Sequence, residues 1–254
     1  MDLGIRGKTA IVCASSKGLG RGCATALAEA GCDLVVNGRR ADILATTASD
    51  IRNRYGVKVI EVPGDVSDPA IQKALIEAAP QADILVNNNG GPPRRDFGEL
   101  DREKILAGLT QNLVTPVELV QALLPGMAER GFGRIVNITS LSVYVPIAGL
   151  DLSSGARAGL TSLLAGVART VAHRNVTINN MLPGKLDTDR LKGVMGAEET
   201  DAQRIARLTA DIPAKRLGTP EEFGQICAFL CSVHAGYITG QNIPVDGGSY
   251  ISAF

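Results

Sequence analysis

Apolar runs bounded by glycine, aspartate or asparagine alternate along this chain with longer segments of helical period, the pattern of repeated βα units around a parallel sheet. The strand candidates are TAIVCA (9 to 14), DLVVNG (33 to 38), KVIEV (58 to 62), DILVNN (83 to 88), GRIVNIT (133 to 139), VTINNML (176 to 182) and NIPVD (242 to 246). Helices are expected near 19 to 30, 41 to 54, 68 to 79, 101 to 130, 152 to 173 and 220 to 232. Right-handed crossovers put them on both faces of the sheet. The fold class is therefore α/β, a doubly wound domain with a seven-stranded, mostly parallel sheet. Ligands in such open sheets bind beyond the carboxyl ends of the strands, so chemistry is expected in the loops that follow them.

No composition break divides the 254 residues, and 45% apolar content can bury a substantial core. Lys plus Arg equal Asp plus Glu at 26 each, so the chain has no electrostatic footprint for nucleic acid or an anionic membrane. The first residues, MDLGIRGKTAIVCASS, hold no long apolar signal segment, and no run of eighteen apolar residues occurs. This reads as a cytoplasmic protein. Cys13, Cys23, Cys32, Cys227 and Cys231 include no CxxC pair and the histidines are not clustered, so reduced, structural thiols and no metal site are expected. His173 and His234 lack a partner motif and are read as structural. Residues 185 to 216 are longer than a simple connection and carry helical period, which fits either a mobile cover over a site or an ordinary helical excursion.

After the first strand comes ASSKGLGRG, in which Ser15, Ser16, Lys17, Gly18, Leu19 and Gly20 form a turn that opens a helix. Glycines there let the backbone approach a pyrophosphate, whose charge is favoured by the unpaired N–H groups and dipole of the helix start. The second strand ends in VVNGRR rather than in an acid. A carboxylate at that point would take the ribose 2′-hydroxyl of NAD, whereas a basic residue accommodates the 2′-phosphate of NADP. Arg39, helped by Lys17, therefore favours NADP(H) over NAD(H).

The segments ASSKGLG, GDVSD (64 to 68), LVNNNG (85 to 90), QNLVTPVELVQALLPGM (111 to 127), GRIVNITS (133 to 140), NNMLPGKLDT (179 to 188) and ITGQNIPVDGGS (238 to 249) follow one another in an order that resembles the short-chain dehydrogenase/reductase family over nearly the whole chain. Within it the likeness is to 3-oxoacyl-thioester reductases and related carbonyl reductases. The resemblance implies one Rossmann-type NADP-binding domain over residues 1 to 254, assembled as a homotetramer or homodimer. It further implies that Asp65 and Val66 contact the adenine, that Asn87, Asn88, Asn89 and Gly90 line the cofactor, and that Pro183, Gly184 and Thr188 touch its nicotinamide end. Ala14 stands where the family has the first glycine of its turn, and Asn89 where it has alanine.

The family's catalytic set is Asn, Ser, Tyr and Lys. Asn112 and Ser140 match the first two; thirteen residues beyond Ser140 stands Ser153, and four further on Arg157. Reducing a carbonyl puts negative charge on oxygen, which needs a hydrogen-bond donor and then a proton. An unactivated serine is a poor acid, and arginine keeps lysine's positive charge and its hydrogen bonds to ribose without readily releasing a proton. Three readings follow: an oxidoreductase acting on a carbonyl or alcohol, with Ser140 and Ser153 polarising the substrate; a non-redox lyase or isomerase; and a catalytically silent NADP-binding sensor or partner subunit. Tyr144 is either a substitute proton donor or packing at the rim. Arg94 and Arg95 either hold an anionic or thioester substrate or sit in a solvated loop. Asp151 and Lys185 fall near the expected site by sequence.

Overall fold

The computed structural model describes residues 1–192 and 200–252. Among them all seven expected strands form: β1 (Thr9–Val12), β2 (Asp33–Gly38), β3 (Val59–Pro63), β4 (Ile84–Asn87), β5 (Gly133–Ile138), β6 (Val176–Pro183) and β7 (Asn242–Val245). They make one sheet in the order β3-β2-β1-β4-β5-β6-β7, and every pairing is parallel. The sheet is thus wholly parallel where the sequence suggested mostly parallel. Chain order runs outward in both directions from the β1–β4 boundary. That boundary is the switch point at which a crevice opens beyond the strand ends.

Helices α1 (Gly18–Glu29), α2 (Ala41–Tyr55), α3 (Pro69–Ala78), α4 (Arg102–Leu109), α5 (Thr115–Arg130), α6 (Asp151–Val171), α7 (Asp189–Lys192), α8 (Asp201–Thr209) and α9 (Pro220–Cys231) complete the fold. Successive strand residues supply two cores. Ala10, Val12, Leu34, Val36, Ile84 and Val86 pack with Leu27 of α1, Leu44 of α2 and Phe223 of α9. Ile11, Val35, Leu85, Ile135 and Ile178 pack with Leu75 of α3, Leu119 and Leu123 of α5 and Leu160 of α6. Local chemistry sets the helix ends. Asp68 caps α3 by accepting from Ala70 N–H, Thr219 and Glu222 form a capping box on α9, and Gly131 ends α5 in the left-handed conformation at φ 68°.

The expected single helix over 101 to 130 is interrupted. Residues Thr110–Val114 form a π-turn closed by Thr115 N–H bonding Thr110 O. Pro116 has no N–H to return to the Asn112 carbonyl and its ring would crowd that turn, so the helix widens one turn before the proline. Asn112 sits inside the widened turn and is buried.

Polar side chains also run through the sheet. Asn87, Asn137, Asn180 and Asn242 face one another in register on β4 to β7. Each donates to the next: Asn87 Nδ2 to Asn137 Oδ1 at 2.9 Å, Asn137 Nδ2 to Asn180 Oδ1 at 2.9 Å, and Asn180 Nδ2 to Asn242 Oδ1 at 2.8 Å. Asn137 is fully buried, so removing it strands a donor on one side and an acceptor on the other.

Part of the expected cover, residues 193 to 199, lies outside the described residues. The rest runs through α7 and α8 and is tied down by Lys185 Nζ to Asp211 Oδ1 at 2.6 Å and by a parallel bridge of Leu186 to Gly218. His173 and His234 lie in turns that lead into the amino ends of β6 and β7, away from the crevice. The five cysteines are free and buried, and burial pushes the thiols of Cys13 and Cys32 up to about 12.

Asn137→Ala is expected to lower stability by about 2–4 kcal/mol in urea unfolding, the sum of two orphaned partners. A thiol reagent at pH 8 is expected to leave the native protein unlabelled and to react with all five cysteines once urea unfolds it.

Candidate active site

The glycine turn after β1 is built from backbone contacts. Ala14 adopts φ +43°, a left-handed conformation that a side chain disfavours. It is held by Asn37 Oδ1 accepting from its N–H at 3.1 Å and by Asn88 Nδ2 donating to its carbonyl at 3.1 Å. Gly20 faces that carbonyl so closely that an added Cβ would lie 2.3 Å from it. Lys17 precedes α1 without a side-chain cap, so the first-turn N–H groups remain open to an anion.

Around this turn the expected cofactor residues divide. Ser15 is fully buried: its N–H donates to Asn37 O and its hydroxyl to Val12 O. It shapes the turn, with its hydroxyl also accepting from Asn37 N–H. Arg40 pairs with Asp42 at 3.0 Å, whereas Arg39 is exposed with no ion pair among the described residues. Lys17 pairs with Asp189 at 3.1 Å, and the Thr188 side chain lies against Gly18. Asp65 Oδ1 accepts from Ser67 N–H at 2.9 Å, while Val66 and Asn87 are buried. Asn89 Nδ2 donates to Ser67 Oγ and to Gln111 O at 2.9 and 3.1 Å, anchoring the loop that ends in exposed Gly90. Gly184, next to Pro183, passes so near Asp246 that a Cβ would come within 2.7 Å of it. Uncapped N–H groups, a glycine cradle with no room for a side chain, and an exposed guanidinium at the end of β2 all fit a phosphorylated dinucleotide.

The expected catalytic residues gather where β5 meets α6. Arg157, buried on α6, donates through Nε to Ser153 Oγ at 3.2 Å, through Nη1 to Ile138 O at 2.7 Å and through Nη2 to Asn89 O at 3.4 Å. Ser140 Oγ, two residues after Ile138, accepts from Ser142 N–H at 3.1 Å. Both serine oxygens therefore receive an N–H, and neither hydroxyl donates to a group among the described residues. Asn112 Nδ2 reaches Gly108 O at 3.4 Å. Its Oδ1, Asn87 Oδ1 and Thr115 Oγ1 are buried without a hydrogen-bond partner among the described residues, and all three residues line one cavity beside Arg157. Its interior room of about 20 Å³ suits a single water.

At the rim, Tyr144 stacks on Tyr250, ring centroids 4.9 Å apart, and is 39% exposed. Arg95 N–H donates to Gly149 O at 3.1 Å, tying the loop after β4 to the loop after β5, and Arg94 is exposed beside it. Asp151 is exposed in the first turn of α6, and Lys185 is engaged by Asp211 and Leu208 O. Thr115, Tyr250 and Asp189 were not foreseen from sequence. Thr115 alone had a signal, the adjoining proline.

A family model described as Enoyl-(Acyl carrier protein) reductase matches residues 13–250. The chain belongs to the short-chain dehydrogenase/reductase family. Nodulation protein G of Azospirillum brasilense is 35% identical over 95% of this chain and 97% of its own. The 3-oxoacyl-(acyl-carrier-protein) reductase FabG of Aquifex aeolicus is 34% identical over 98% of this chain and 100% of its own. The solved L-sorbose reductase of Gluconobacter frateurii, complexed with NADPH and L-sorbose, superposes with a TM-score of 0.93 at 30% identity, covering 99% of this chain and 100% of that one. As a member of this family the chain has oxidoreductases for relatives, and structural neighbours that bind NADPH. No helix among the described residues is long and apolar enough to cross a membrane.

Relieving the positive φ at position 14 is expected to outweigh the greater freedom of an unfolded glycine: Ala14→Gly should raise stability by about 0.5–1 kcal/mol, read as a higher urea midpoint.

Proposed function

We propose that this protein is a cytoplasmic NADP(H)-dependent oxidoreductase that interconverts a carbonyl and an alcohol, with Ser140 and Ser153 in place of a tyrosine-centred site. The observation that carries this reading is the bond from the buried guanidinium of Arg157 to Ser153 Oγ. A hydroxyl whose lone pair is taken by a cation is a stronger donor through its own hydrogen. Ser153 and Ser140 would then offer two hydroxyl hydrogens to one substrate oxygen, an oxyanion hole made of side chains.

The dinucleotide would lie on Ser16, Lys17, Gly18, Leu19 and Gly20, with its 2′-phosphate on Arg39. Asp65 and Val66 would flank the adenine, Asn88, Asn89 and Gly90 the middle of the molecule, and Arg157, Pro183, Gly184 and Thr188 its nicotinamide end. When bound, NADPH supplies the hydride. Arg157 stabilises the developing negative charge through Ser153 and stays protonated, so solvent water delivers the proton. Asn112 holds the π-turn that seats α5 behind this set. A 3-oxoacyl thioester is the first substrate to test, because the curated relative FabG is named for that chemistry. A homotetramer or homodimer is the expected assembly.

One observation favours a second reading, a silent NADP-binding sensor or partner subunit: Arg157 Nη1 is engaged by Ile138 O, which draws the cation back into the fold. The retained glycine cradle argues against a nucleotide-free lyase or isomerase.

Titration calorimetry with NADPH and NADH tests the cofactor, and tighter NADPH binding is expected. Reduction of an activated 3-oxoacyl thioester is expected to fall roughly a hundredfold in Ser140→Ala or Ser153→Ala, as for loss of one oxyanion-hole donor. With serine and arginine at the reacting centre, kcat/KM should stay level between about pH 6 and 9, while the double variant Ser153→Tyr, Arg157→Lys should gain a pH-dependent limb. NADPH binding without turnover on any carbonyl would move the assignment to the silent reading.

A further inference from the structure

We propose that Arg204 binds an anionic group of the substrate, a carboxylate or phosphate, beneath α8. Arg204 lies one helical turn before Leu208, so the two side chains share a face of α8. That face is turned inward: Arg204 is 4% exposed and Leu208 6%, whereas Ile205 between them is 44% exposed. A leucine in such a stripe packs, but an arginine brings five N–H donors into a dry place.

Few of those donors are matched. Arg204 Nε and Nη1 are buried with no hydrogen-bond partner among the described residues. Nη2 approaches Asp201 Oδ1 only at 3.4 Å, and that carboxylate is 81% exposed. A neighbour on the same helix that stays in water offsets little of the cost of burying a guanidinium. Nε and Nη1 lie on different edges of the guanidinium, so an anion on either edge would pair one of them with Nη2, whose present contact to Asp201 is long.

Lys185, the residue after Gly184, ties the end of α8 to the crevice through Leu208 O at 3.1 Å and Asp211, and Ala214 N–H bonds Gly247 O at 3.0 Å. These ties lie at and beyond the carboxyl end of α8. Arg204 is in the other half of the helix, where none of these ties engages it. The inference rests on reading this crevice as the substrate site, and it adds that the substrate carries negative charge away from the reacting carbonyl.

The test uses the full chain as wild type, Arg204→Met and Arg204→Lys, with acetoacetate, its neutral ethyl ester and inorganic phosphate as probes. Wild type should be raised in melting temperature by acetoacetate or by phosphate and not by the ester, and the anion that acts identifies the group. Arg204→Met should bind that anion at least roughly tenfold more weakly, and Arg204→Lys should retain part of the affinity. Without ligand, Arg204→Met should melt no lower than wild type, because an apolar side chain replaces an unpaired cation. A clear drop in melting temperature of the unliganded methionine variant would mark Arg204 as structural and overturn the proposal. So would equal anion stabilisation of wild type and Arg204→Met, or no anion binding by either. These readouts need no turnover. An anion shift that depends on Arg204 in a protein inactive on every carbonyl would sink the redox reading and leave this one standing.

Discussion

The row of four asparagine amides across β4, β5, β6 and β7 is the contact on which the rest of the site depends. Parallel strands buried on both faces can slip in register, since one apolar residue packs much like the next. Amide side chains do not allow that freedom, because each buried N–H has one acceptor at one height. Asn87, Asn137, Asn180 and Asn242 therefore fix the relative heights of four strands, and with them the loops that carry Asn88–Gly90, Ser140 and Gly184. The row runs from donor to acceptor and leaves the Asn87 carbonyl at its head, facing the cavity beside Arg157. Sheet register and site polarity are in this way set by the same bonds.

Set against the tyrosine and lysine that the family resemblance leads one to expect, Ser153 and Arg157 would exchange titration for fixed charge. A lysine ammonium is compact and can move a proton; a guanidinium is planar and binds several acceptors at once. Arg157 uses this breadth to join the ends of β4 and β5 to the first turn of α6 through Asn89 O, Ile138 O and Ser153 Oγ. Asn89, itself a departure from the family's alanine, adds side-chain bonds to Ser67 and Gln111 on the other side of the same loop. The two departures meet at one backbone residue, so the arginine and the asparagine hold the strand ends as a unit.

Much of this was legible in the sequence. Seven apolar runs placed the seven strands to within a residue or two, because strands buried on both faces leave the strongest local mark. ASSKGLG marked the turn that opens α1, and the family's motif spacing counted from Ser140 pointed to Ser153 and Arg157. What escaped notice was set by long-range geometry. Nothing near Ser15 in sequence says that its hydroxyl turns toward Val12 O, and no periodicity reveals that four asparagines on separate strands come level. The break in the helix after Leu109 follows from Pro116, which lies about four turns inside the 101 to 130 segment, but apolar period alone does not register a missing N–H. Arg204 stands out as the one charge on the buried face of α8, beside Leu208 and Thr209, a signal visible only once that inward face is known.

The π-turn at Thr110–Val114 has a mechanical consequence. A π-turn is a helix with a surplus residue, and each residue adds about 100° of rotation about the axis. Everything before it on α4 is therefore turned relative to α5, which lets Gly108 meet Leu152 on α6 while Leu119 and Leu123 still face the sheet. The widened turn works as a twist coupling between two helices that serve different neighbours. The residue at its centre, Asn112, lines the cavity beside Arg157 because the helix could not stay regular and satisfy both.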